Sequence, residues 1–248
     1  MRDADLTQAA VNDKFQAEGV LYICGTPIGN LDDVSFRLIQ VLKQVDLIVC
    51  EDTRRTRKLL ARYDISKPLL AFHEHVERQR TGTVLERLSQ GKSVALVSDA
   101  GMPLISDPGA YLVTQARESG FKVVVVPGPS AVTAALALVG FPSSRFIFAG
   151  FPPRKSKKRQ EFFIRWIKPQ VPAVFFESPH RLVKALHDLM AAFPSVQVGL
   201  CHEMTKAYES AIVGPIKDVY ENLKDSDVKG EWVVVAYLES PEDPEEAG

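Results

Sequence analysis

The sequence predicts a two-domain α/β protein, with a parallel sheet in the first half and a mixed sheet in the second. In the first half, short β-rich runs alternate with segments whose apolar residues recur at helical spacing. Strands joined by helical crossovers pair parallel, with helices on the sheet faces. In the second half, the candidates Val196–Cys201 and Tyr208–Val213 are separated by a short polar link that has no room for a helix. Two such strands pair antiparallel. The pattern changes near Gly128–Pro142. One continuous β/α barrel is the competing architecture, and the loss of strict alternation counts against it.

The first-half strand candidates are Val20–Cys24, Asp46–Cys50, Leu69–Phe72, Val94–Ser98 and Lys122–Val126. Between them, Phe36, Ile39 and Leu42 form one helical stripe, and Val84, Leu85 and Leu88 another. The second-half candidates are Arg145–Ala149, Ala173–Glu177, Val196–Cys201, Tyr208–Val213 and Trp232–Leu238. Asp107 with Pro108, Ser178 with Pro179, and Gly214 with Pro215 each read as a cap followed by proline in a first helical turn. After Pro179, the stripe Leu182, Val183, Leu186, Leu189, Met190 and Phe193 reads as core. The expected organisation is an N-terminal extension over 1–19, an α/β domain over 20–135, a second over 136–240 and an acidic tail over 241–248. The extension is expected to be mobile and the tail disordered.

Composition narrows the function. The net charge is −1, so attraction to a polyanion has to come from local patches. No apolar run reaches the roughly 20 residues of a membrane helix. The first 19 residues carry Asp3, Asp5, Asp13 and Glu18 and no apolar signal core, which favours a cytoplasmic protein. Cys24, Cys50 and Cys201 lie far apart at the ends of apolar runs, as reduced core thiols do, without zinc-ligand or disulfide spacing.

Ligands of parallel sheets bind beyond the carboxyl ends of the strands. There the candidate strands run into Gly25–Leu31, Glu51–Arg54, His73–His75, Asp99–Gly109 and Pro127–Ala131, loops rich in glycine, proline and polar side chains. Glycine admits a ligand close to the backbone and proline fixes loop shape. Gly91-Lys92-Ser93 mimics the end of a phosphate-binding loop, but it precedes a strand and Glu86 occupies the first glycine position. The first loop lacks dinucleotide-fingerprint spacing. His73 and His75 have only Glu74 beside them, too few donors for a metal site.

Two basic clusters stand against the neutral background: Arg54, Arg55, Arg57, Lys58 and Arg62, and the block Arg154-Lys155-Ser156-Lys157-Lys158-Arg159. Such blocks either solvate a surface or contact a phosphate backbone. Phe151, Phe162 and Phe163 flank the second block, where they either stack on bases or pack inside.

As a set, Thr26–Leu31, Glu51–Arg54, Ser98–Gly109, Pro127–Ala131, Glu177–Arg181, Glu203–Lys206 and Gly230–Trp232 resemble the ribosomal RNA small subunit methyltransferase I family, within the tetrapyrrole-methylase superfamily. The resemblance runs from about Val20 to Leu238. It implies a tetrapyrrole-methylase-like fold of two α/β domains with S-adenosylmethionine in the cleft between them, and a homodimer. It implies 2'-O-methylation of one cytidine in the decoding centre of 16S rRNA. Cofactor contacts are expected from Pro27, Gly29, Asp99, Gly101, Met102, Ile105, Ser130, Ala131 and Glu177. RNA contacts are expected from Arg54, Arg57, Lys58, Arg154, Lys155, Lys157, Lys158 and Arg159. Met102 stands where the family usually has threonine, His202 where arginine is more usual, and an additional C-terminal segment of many relatives is missing. No metal is expected.

A ribose hydroxyl attacks poorly while protonated, so a carboxylate that takes or orients its proton helps. Asp52 and Asp99, at strand ends, are the candidates; pairing with a neighbouring arginine and fixing a loop are their competing roles. Two rival functions are tetrapyrrole C-methylation and non-catalytic RNA binding during ribosome assembly.

Overall fold

A computed structural model describes residues 19–239. The N-terminal extension, save Gly19, and the acidic tail lie outside the described residues. The chain divides into two compact units, Met1–Pro129 and Ser130–Gly248.

The first unit carries β1 (Val20–Cys24), α1 (Phe36–Gln44), β2 (Leu47–Cys50), α2 (Thr53–Arg62), β3 (Leu69–Ala71), α3 (Glu77–Ser89), β4 (Val94–Val97), α4 (Ala110–Glu118) and β5 (Lys122–Val126). Its sheet has the order β3-β2-β4-β1-β5, and every pairing is parallel. Period-two alternation divides the side chains between two faces. Cys24, Ile48, Cys50, Ala95 and Val97 pack with Leu38, Leu42, Leu59 and Leu60 of α1 and α2. Leu21, Ile23, Val49, Val94 and Leu96 pack with Val84, Leu88 and Leu112 of α3 and α4. Parallel pairing sends all five carboxyl ends to one edge, as the alternation of strands and helices predicts.

The second unit carries α5 (Ala131–Val139), β6 (Ile147–Gly150), α6 (Ser156–Trp166), β7 (Ala173–Glu177), α7 (Pro179–Ala192), β8 (Gln197–His202), β9 (Ser210–Pro215), α8 (Ile216–Leu223) and β10 (Trp232–Tyr237). The order is β6-β7-β10-β8-β9. β6 and β7 are parallel, whereas β10 runs antiparallel to β7 and β8, and β8 to β9. The mixed sheet is therefore the predicted one, including the antiparallel β8–β9 pair. Phe163, Phe175, Leu186 and Leu189 centre the core under α6, α7 and α8. α5 covers the opposite face, close enough that a Cβ on Gly199 would meet Val139 at 2.3 Å.

Some local expectations need correction. Phe36 is 87% exposed. Ser35 caps α1 by accepting the Leu38 N–H, and the buried stripe is Leu38, Val41 and Leu42. Asp107 does not cap α4. Glu77, from the first turn of α3, accepts the N–H groups of Gly109 and Tyr111, each at 3.0 Å, and α4 begins at Ala110. Ser178 does precede α7, with Pro179 at its start. α8 starts at Ile216, so Pro215 holds its cap position. Among the described residues, no helix is long and apolar enough to cross a membrane.

Candidate active site

At the carboxyl edge of the first sheet the loops are tied to one another. Thr26 and Gly101 exchange backbone hydrogen bonds of 2.9 and 3.1 Å, forming an isolated antiparallel bridge between the loops after β1 and β4. The Gly101 carbonyl also accepts the hydroxyls of Thr26 and Ser98. Gly25 and Gly128 bring the loops after β1 and β5 into backbone contact: a Cβ on Gly25 would meet the Gly128 nitrogen at 2.7 Å, and one on Gly128 the Gly25 carbonyl oxygen at 2.6 Å. Only glycine permits that approach from both sides. The loop after β2 joins through the Asp52 N–H, which donates to Asp99 Oδ1 at 2.9 Å. Within the loop after β4, Leu104 (φ 73) and Ser106 (φ 66) occupy left-handed backbone. Side chains rarely adopt that conformation, and such strain clusters at functional sites.

The first-unit cofactor candidates occupy this edge. Pro27 and Gly101 are buried, Asp99 and Met102 half-buried, and Gly29 and Ile105 exposed. Ser130 and Ala131 open α5 in the second unit. Glu177 departs from expectation. It is 3% exposed, and its carboxylate accepts the Ser178 N–H and the Arg181 guanidinium, each at 2.8 Å. With both oxygens engaged, its evident work is to fix the start of α7.

The carboxylates at the edge differ sharply. Asp52 caps α2 by accepting the Arg54 N–H and takes a close ion pair, 2.6 Å, from the same guanidinium. Those bonds from Arg54 hold its carboxyl well below the usual carboxylate range, so Asp52 is a poor proton acceptor, contrary to its candidacy as a base. Asp99 braces the loops, with Arg55 Nε 3.5 Å from Oδ2. Burial, and then the charge of Asp99, pushes the Glu51 carboxyl upward. Burial and the neighbouring Glu51 push Asp107 up to about 6, against an opposing hydrogen bond from Ser98. Sequence reading treated Asp107 only as a cap. Its place in the loop after β4 was visible, but its neighbours in space were not.

Burial drives the thiols the other way from reactivity, Cys24 to about 12 and Cys201 to about 11. All three cysteines are buried and free. Imidazoles His73 and His75 stand edge to face with centroids 6.0 Å apart. Among the described residues no group of three or more His, Cys, Asp or Glu could hold a metal ion.

Of the basic residues, Arg54, Arg57 and Lys58 are exposed on α2, Arg54 being committed to Asp52. Arg154, Lys155, Lys157 and Lys158 are exposed around the start of α6. Arg159 is not a surface cation. It is 4% exposed and paired with buried Asp188 of α7, with Nε to Oδ2 at 2.8 Å. Ser156 and Gln160 donate to the other Asp188 oxygen. Phe163 is buried and Phe162 packs against the same core, leaving Phe151 as the exposed aromatic of the three. Within the second unit, Glu203 accepts the Glu231 N–H and the Lys206 ammonium, and His202 stacks on Trp232 with centroids 4.3 Å apart.

Comparison with known proteins agrees with this geometry. The family described as Tetrapyrrole (Corrin/Porphyrin) Methylases matches residues 20–220. A protein of Thermotoga maritima named ribosomal RNA small subunit methyltransferase I is 46% identical over 217 residues, covering 88% of this chain and 97% of its own. A Vibrio cholerae protein of the same name is 44% identical over 221 residues, covering 88% and 77%. Among solved structures, the uroporphyrin-III-C-methyltransferase of Thermus thermophilus is similar with a TM-score of 0.62 at 19% identity, covering 88% of this chain and 94% of that one. A diphthine synthase is similar at 0.64 and 14%, covering 88% and 89%. These two likenesses speak to fold alone. The chain belongs to the tetrapyrrole (corrin/porphyrin) methylase family, within its ribosomal RNA small subunit methyltransferase I branch, and is a methyltransferase.

Proposed function

We propose that this enzyme transfers a methyl group from S-adenosylmethionine to the 2'-hydroxyl of a cytidine in the decoding centre of 16S rRNA, within the small ribosomal subunit. One observation carries the reading: the loops after β1, β2, β4 and β5 are tied into a single cradle in a chain whose relatives are named for rRNA methylation. The fit to the cofactor rests on that cradle's chemistry. Closely packed glycines expose backbone to a polar ligand, and the Glu51, Asp99 and Asp107 carboxylates suit a cationic donor.

S-adenosylmethionine, when bound, supplies a methyl carbon on positively charged sulfur. In this reading Pro27, Gly29, Gly101, Met102 and Ile105 position it, and positioning supplies much of the rate of an in-line displacement. Asp99 ties the loop that carries Gly101, Met102 and Ile105 to the loop after β2. Asp107, rather than Asp52, accepts the hydroxyl proton, because a carboxyl titrating near 6 is a better-matched base. The expected contacts of Ser130 and Ala131 rest on the family resemblance.

Arg57, Lys58, Arg154, Lys155, Lys157 and Lys158 supply the phosphate contacts. α6 has no acidic residue in its first turn and lysines in its place. Cations at a helix N-terminus oppose the helix dipole, so local stability does not account for them, whereas a phosphate backbone does. We read the enzyme as a cytoplasmic homodimer.

The test is transfer of labelled methyl to three acceptors: small subunits from cells lacking the protein, a protein-free 16S rRNA, and a porphyrinogen. Label on the subunit supports the proposal. Label on the porphyrinogen alone overturns it in favour of tetrapyrrole methylation.

A further inference from the structure

We propose that Phe151 is a stacking platform for one unpaired nucleobase of the RNA, next to the cations that take its phosphates. The inference rests on the RNA reading and specifies what this surface recognises there. Phe151 is 56% exposed. The backbone holds it out: β6 breaks register against β7 between Phe148 and Gly150, and Gly150 turns through φ 71. A bulge of this kind re-aims the side chain that follows it. Phe176 supports the ring from one side, with centroids 5.5 Å apart, and Phe148 supports Phe176 in turn.

The segment after Phe151 is pinned from below. The Pro152 carbonyl accepts the Arg181 guanidinium, whose other partner is Glu177. The Pro153 and Arg154 carbonyls accept Arg159 Nη1 at 3.4 and 3.2 Å, and Asp188 fixes Arg159. Two arginines and two prolines thus present the aromatic ring and the following cations as one preorganised surface, so little conformational entropy is lost on binding. Exposed Arg154, Lys155, Lys157 and Lys158 follow it directly.

Phe36 follows Asp32 and Asp33, and Tyr208 precedes Glu209, carboxylates that repel phosphate, while Phe146 has the single cation Arg145 beside it in sequence rather than a row. An aromatic face beside a cation row is the arrangement by which proteins hold splayed single-stranded bases.

The experiment measures binding of the full-length protein to an unpaired oligoribonucleotide and to an RNA duplex across a salt series. Loss of the stacking face should make Phe151→Ala bind the oligoribonucleotide about 5- to 150-fold more weakly. The salt slope should be unchanged, and duplex binding unaffected. Phe151→Leu, which keeps apolar bulk without a π face, should not rescue. Phe151→Trp should bind as well as the parent, with indole fluorescence quenched on addition of oligoribonucleotide. Wild-type affinity in Phe151→Ala overturns the proposal and leaves the RNA reading standing if Lys157→Ala still lowers the salt slope. Rescue by Phe151→Leu, or a loss confined to whole subunits, overturns it in favour of a protein contact. Absence of RNA binding by the parent protein overturns both.

Discussion

Replacing Asp107 with asparagine tests the electrostatics of the cradle without altering its shape. Burial and Glu51 move this carboxyl from 3.8 to about 6. At about 1.4 kcal/mol per pH unit, holding it charged costs up to about 3 kcal/mol. Because the side chain is only half-buried, solvent screening reduces the expected cost to about 1–2 kcal/mol. The folded protein holds this proton more tightly than the unfolded chain. Asp107 therefore lowers stability as pH rises from about 4 to about 6, with its full cost present above 6 and absent below 4. Asparagine cannot ionise. The variant should gain about 1–2 kcal/mol over the parent at pH 7.5, relative to their difference at pH 4. Urea unfolding of both proteins at pH 4, 5, 6 and 7.5 gives the two curves. A parent-to-variant difference constant across that range refutes the reasoning. The same variant should lose methyl transfer, a trade of activity for stability typical of strained sites.

Other perturbations have equally definite outcomes. Asp188→Ala leaves the Arg159 guanidinium buried and uncompensated, and should cost about 3–5 kcal/mol in denaturant unfolding. Gly128→Ala puts a methyl 2.6 Å from the Gly25 carbonyl; calorimetry should show weakened S-adenosylmethionine binding, and unchanged affinity would remove this contact from the cradle. Lys157→Ala with Lys158→Ala should weaken RNA binding and reduce the salt slope by about 2, one per lost phosphate contact. In the kcat pH profile, the rising limb should fall near 6, and a flat profile from 5 to 8 would exclude Asp107 as the base.

Most strands were legible in the sequence to within one or two residues, because short apolar runs bounded by turns have few alternative folds. The parallel first sheet and the antiparallel β8–β9 pair of the mixed second sheet followed from the lengths of the connections. Less visible was anything decided by distant partners. The cap of α4 comes from Glu77, 32 residues before Gly109. Arg159 looked like its neighbours in a basic block, although it sits four residues before buried Phe163, on the same helical face. Asp188 was hidden in the apolar stripe of α7, where a carboxylate flanked by buried Leu186 and Leu189 was itself a sign of a buried partner. Local sequence suggested Asp52 as a base equally with Asp99. Only the Arg54 fork, in three dimensions, shows its charge to be committed.

The position of the new methyl group tests the central claim most directly. Small subunits lacking the modification would be incubated with enzyme and labelled S-adenosylmethionine, and their rRNA hydrolysed in alkali. Alkaline cleavage needs a free 2'-hydroxyl, so methylation there protects the adjoining linkage. The account predicts label in an alkali-resistant dinucleotide that yields 2'-O-methylcytidine on enzymatic digestion. Label released in mononucleotides, on a base carbon or nitrogen, contradicts it.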